Sequence, residues 1–118
     1  MIDQRNMIRH IQANYLFKMN QLQALQAQVS YWEKNKENYA KSIEVFKAYV
    51  DFVRTFNDPR ALINSYIRMA QYCERMEDRL MATDLYTEAV EVMMSTGLGM
   101  QTPQFQHLRA KIESLHYF

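Results

Sequence analysis

The chain has 118 residues, 48% of them hydrophobic and 23% charged, which suits one folded domain with a single core. A net charge of +1 gives no electrostatic drive toward nucleic acid or an anionic membrane, and no apolar run approaches the ~20 residues of a transmembrane helix. Two glycines and two prolines are too few for sheets or Gly-rich active-site loops, so the composition predicts an all-α protein with tight connections. The lone Cys73 excludes an intramolecular disulfide and points to the cytoplasm or another reducing intracellular compartment. The N-terminus lacks the compact apolar core of a secretory signal.

The first 58 residues contain neither glycine nor proline, so helix can run long there. Ile8, Ile11, Tyr15, Leu22, Leu25, Val29 and Trp32 follow alternating three- and four-residue steps, with Lys18 in the one missing place. That is a heptad-like seam, and a helix from about Asp3 to Asn35 would span ~50 Å. Residues 4–32 carry Arg5, Arg9 and Lys18 but no acid. Organelle-targeting segments share that pattern, and so do ordinary amphipathic helices, which is the reading preferred. Leu22, Leu25, Val29 and Trp32 lose ~1.5–3 kcal/mol each if left in water, so they need a cover, either self or partner.

Asn35-Lys36-Glu37-Asn38 is the break before a second helix, whose stripe is Ile43, Phe46, Val50 and Val53, widened by Tyr49 and Phe52. Asn57-Asp58-Pro59 is a helix start: Asp accepts first-turn N–H groups and Pro suits the first helical position. The third helix is predicted over Pro59 to Arg75 and the fourth over Asp78 to Ser95, closed by Gly97 in the left-handed region. Thr102-Pro103 opens a fifth, with Phe105, Leu108, Ile112 and Leu115 along one face. The domain therefore reads as 1–118: a long helix over 1–36, antiparallel helical hairpins over 37–96, and a closing helix over 103–118.

Between Ile63 and Met94 the spacing is more specific. Tyr66, Met69, Ala70 and Cys73 share one face, and Ala82, Tyr86 and Ala89 repeat that logic after the polar turn Glu77-Asp78-Arg79. These residues resemble one tetratricopeptide repeat, a helix-turn-helix unit that usually binds protein segments. Cys73 stands where an aromatic is usual in that family, and Met94 where the terminating proline is common. Ser42 and Phe46 match the second helix of an earlier, degenerate repeat, but lie 40 residues before Ala82 and Tyr86, against a family period of about 34. The same region extended to the C-terminus is also similar to a microtubule-interacting-and-transport domain, through Ala82, Leu85-Tyr86, Ala89, Leu108-Arg109 and Lys111.

Residues with chemistry are sparse. Glu113 and His116 form a Glu-x-x-His pair, half of a di-iron carboxylate signature whose second half is missing. His10 and His107 stand apart and lack cysteine partners for zinc. Cys73 falls on an apolar helix face rather than beside a base. No phosphate loop, nucleophile elbow or paired-carboxylate motif occurs, so no catalytic, cofactor or metal residue is assigned and an enzyme is not expected. Asp84, Glu88 and Glu91 put acids on the outer face of the fourth helix, a solvated face by default.

The predicted function is protein–protein interaction. The resemblance implies a groove that holds a partner helix or peptide, with Tyr66, Met69, Tyr86, Met93 and Met94 as its residues. Met93 and Met94 point about 100° apart on one helix, so one face does not bury both. Leu22, Leu25, Val29 and Trp32 are the expected assembly interface. The alternative is a structural subunit that homodimerises through the long first helix, with the repeat as plain core.

Overall fold

A computed structural model describes residues 4–116. It is all-α, with five helices in order: α1 (Gln4–Lys34), α2 (Tyr39–Arg54), α3 (Pro59–Arg75), α4 (Arg79–Thr96) and α5 (Pro103–His116). The starts of α2, α3 and α4 have a local cause. The Asn38 side chain accepts from Lys41 N, Asp58 from Arg60 N and Ala61 N ahead of Pro59 at the first position, and Asp78 from Met81 N. These caps satisfy N–H groups that a helix leaves without intrahelical partners. Gly97 closes α4 at φ 74°, and two non-glycine residues take the same left-handed region, Asn57 at φ 54° and Glu77 at φ 62°. Behind Glu77, Asp78 N donates to Cys73 O at 2.9 Å, which finishes the last turn of α3 as a Schellman closure.

Each helix packs on its neighbours in the chain, and α3 with α4 is the most extensive pair. Ala70, Ala82 and Ala89 are wholly buried there, and their single methyl groups allow close approach. The odd helices are tied to each other by charge. Arg68 Nε donates to Glu33 Oε1 at 2.9 Å, Arg75 stands 4.0 Å from Glu33, and Lys111 Nζ lies 3.0 Å from Glu74 Oε2. The even helices meet at Tyr39, whose hydroxyl donates to Asp78 at the start of α4. Two layers result, α1, α3 and α5 in one, α2 and α4 in the other.

The core runs through all five: Val29 from α1, Phe46 from α2, Met69 and Cys73 from α3, Met93 from α4, Phe105 and Leu108 from α5. Phe46 and Tyr72 stack with centroids 5.0 Å apart.

The arrangement differs from the sequence expectation in one respect. Residues 37–96 contain three helices, so the hairpins are α1–α2 and α3–α4, and the long helix is itself the first arm of the first hairpin. The cause is α2, which packs along the C-terminal half of α1. Ser42 and Phe46 on α2 are both wholly buried, as are Ala82 on α4 and, nearly, Tyr86.

Candidate functional site

α1 has 31 residues and α2 has 16, and the two run antiparallel from the short link at Asn35–Asn38. At 1.5 Å per residue, α2 covers only ~24 Å of α1. Its far end is marked by Phe56, whose ring lies 5.1 Å from Lys18 Nζ, and Phe56 packs edge-on against Phe52. Residues 4–17 of α1 therefore project beyond the bundle as a helical arm of ~21 Å.

The seam is divided by that geometry. Leu22, Leu25, Val29 and Trp32, expected at an assembly interface, are packed against the chain's own core, Val29 with no exposed surface. Ile8, Ile11 and Tyr15, the same stripe two to four turns before Leu22, are uncovered. Together with Met7, Leu16 and Phe17 they are 48% to 64% exposed. Isolated exposed apolar residues are ordinary, but Met7, Ile8, Ile11 and Tyr15 share one side of the helix, and a contiguous exposed apolar face is a feature of interaction sites. Phe17 points away from the stripe, about half a turn from Ile8, and Leu16 lies about a quarter turn to its side.

No family model, curated protein or solved structure matches this chain.

The residues expected in a groove are mostly interior. Tyr66, Met69, Tyr86 and Met93 are buried, whereas Met94 is 58% exposed on the outer side of α4. The Met93–Met94 pair thus splits between core and surface, as their angular separation on a helix requires. Tyr66 and Met69 still reach the floor of a cleft of about 260 Å3 between α2, α3 and α4, with Lys47, Asp51 and Arg54 at its rim. Arg54 donates to the Tyr66 hydroxyl and to Asp51 Oδ1 at 3.2 Å. Met93 lines a second cleft of about 320 Å3 with Ile63, Leu98 and Gly99, where α3 begins and α4 ends. Tyr86 belongs to neither. Burial first, then the adjacent Glu74 carboxylate, holds its phenol above the usual tyrosine range.

The polar links that position these surfaces leave no local signal in the sequence. Tyr39 connects the start of α2 to the α3–α4 turn through Asp78, and its oxygen is 3.6 Å from Cys73 Sγ. Burial chiefly, and then hydrogen bonding to Asp78, raises the Tyr39 pKa, while burial pushes the Cys73 thiol up. A thiol so placed is a poor nucleophile. Among the described residues, no group of three or more His, Cys, Asp or Glu side chains is placed to hold a metal ion, and no helix is long and apolar enough to cross a membrane. Glu113 and His116 lie exposed on the last turns of α5.

Proposed function

We propose that this protein is a non-catalytic interaction module, an adaptor, assembly or chaperone-like subunit built on a tetratricopeptide-like hairpin. The observation that carries the reading is the uncovered apolar row on the arm of α1. A fourteen-residue helix alone is marginal in water. This one is continuous with a half held against α2, so it offers a preformed docking edge at little ordering cost. A partner helix laid along Ile8, Ile11 and Tyr15 would extend the packing that α2 begins. The cleft floored by Tyr66 and Met69 is a second place for a peptide side chain, with Lys47, Asp51 and Arg54 to orient it. The small residues Ala70, Ala82 and Ala89 at the tightest helix pair support the family reading. The buried thiol of Cys73 fits a reducing compartment such as the cytoplasm.

The test is a photo-crosslinking residue placed at Ile11 in cells that make the protein. A discrete protein adduct is expected at Ile11 and not at the exposed polar position Lys34. Absence of any adduct at Ile11 would refute the reading.

A further inference from the structure

We propose that the cleft between α2, α3 and α4 binds a small aliphatic carboxylate, with the acid group at the rim beside Arg54 and Tyr66 and the chain on the apolar floor. This rests on the reading of that cleft as a contact site and names the chemistry it takes.

The polar groups of the cleft are short of acceptors. Tyr66 is buried but reaches the cleft, where Arg54 donates to its hydroxyl. An arginine cannot accept in return. The Tyr66 O–H proton therefore meets no acceptor among the described residues. A guanidinium carries five N–H donors, and Arg54 engages one with Tyr66 and one with Asp51. Lys47, about two turns earlier on the same face of α2, forms no salt bridge or hydrogen bond among the described residues. A surplus of donors over a buried floor calls for a ligand that accepts.

Charge narrows the choice. The lining includes two cations, Lys47 and Arg54, and one acid, Asp51. Glu88 on α4 also attracts the Arg54 guanidinium, but it does not line the cleft. The lining thus complements a single negative charge. A carboxylate meets both demands, because its two oxygens accept several hydrogen bonds and charge assistance strengthens them.

The floor sets the rest of the molecule. Val50 from α2, Met69 from α3, and Met81 and Leu85 from α4 make it apolar, and the two thioethers adapt to a chain laid on them. The volume of about 260 Å3 holds roughly eight non-hydrogen atoms at ~30 Å3 each, the share of a water molecule in the liquid. That is an acid of about six carbons. Inorganic phosphate would leave the floor uncovered, and a long fatty acid would overrun it. A free acid and the apolar C-terminal residue of a peptide carry the same groups.

The test uses the purified full-length chain with 4-methylpentanoate as the probe. At about ten times its dissociation constant, the acid should raise the melting temperature by roughly 5 °C. Isothermal titration should give a dissociation constant on the order of 1 mM, as befits so few atoms in an open cleft. The neutral amide of the same chain should bind at least tenfold more weakly, and so should acetate, which lacks the chain. Tyr66→Phe and Lys47→Gln, checked as folded by their own melting curves, should each weaken binding of the acid about fivefold or more. Unchanged affinity in both variants would place the acid elsewhere and overturn the proposal. Equal binding of the amide, or no binding of the acid, would overturn it as well. Acetyl-glycyl-leucine with a free C-terminus separates the two sources. Tighter binding than 4-methylpentanoate assigns the site to a peptide end, and equal or weaker binding assigns it to the free acid. Failure at the cleft leaves the arm reading standing, because the Ile11 crosslink does not involve the cleft.

Discussion

Replacing Tyr39 with Phe removes one oxygen and leaves the ring, which stacks with Tyr72 at 6.1 Å, in place. The lost hydroxyl donates to the Asp78 carboxylate and contacts Cys73 across a half-buried junction. Hydrogen bonds to charged groups contribute about 1.5–3 kcal/mol, and partial exposure places this one at about 1.5. Asp78 keeps its hydrogen bond from Met81 N, so the cap of α4 survives. For a chain of 118 residues the loss corresponds to a melting temperature lower by roughly 6 °C. The assay is thermal melting by circular dichroism together with urea unfolding at about pH 7. A lower urea midpoint at constant m-value is expected. Stability unchanged to within about 0.3 kcal/mol would show that the Tyr39–Asp78 bond is no tie between α2 and α4.

Tyr72→Phe should do the opposite. The Tyr72 hydroxyl is buried with no hydrogen-bond partner among the described residues, so its removal should be neutral or raise stability by about 1 kcal/mol. A loss of that size in urea unfolding would mean the hydroxyl is paired. Ala89→Leu forces extra volume into the closest part of the α3–α4 pair and should cost about 1–3 kcal/mol, whereas Leu80→Ala at an 83% exposed site should change stability by less than about 0.5 kcal/mol. Equal urea midpoints for the two would contradict the packing described. Tyr39 and Tyr86 both have folded pKa values above their ordinary 10.0. The native state therefore holds those protons more tightly than the unfolded chain, a contribution complete below about pH 10 and lost as pH rises beyond it. The urea midpoint should drop between about pH 8 and 11, and less so in Tyr39→Phe/Tyr86→Phe; an equal drop in the double variant would assign the effect to other groups.

The helices were legible in the sequence because their ends carry local signals. Asp58 before Pro59, Asp78 and Gly97 act on N–H groups or backbone angles within a few residues, and α3 and α4 begin and end, and α5 begins, within a residue or two of expectation; the expected end of α5 at 118 and the first three residues of the long helix lie outside the described residues. The seam of α1 was legible as a face, since periodicity reports direction around the axis. Periodicity does not report where a covering helix stops. Leu25 and Ile11 look alike in sequence, and only the length of α2 makes one core and the other surface. For the same reason the pairing of α1 with α2 as a hairpin was not foreseen. The Arg68–Glu33, Tyr39–Asp78 and Lys111–Glu74 contacts join residues 35, 39 and 37 positions apart. Such pairs depend on the layer arrangement and leave no local trace. Asn57 and Glu77 in the left-handed region were also missed, because glycine is the usual signal there.

The chain-order packing of the five helices also bears on how the protein is made. Every helix finds its main partner in the segment just synthesised or the one about to emerge, across links of only a few residues. Low contact order of this kind favours rapid folding and lets structure accumulate during translation at the ribosome. The α1–α2 hairpin can close before α3 exists, but its inner face stays open until α3 arrives with Met69, Ala70 and Cys73. During synthesis, then, the nascent chain displays two sticky surfaces, of which the arrival of α3 covers only one.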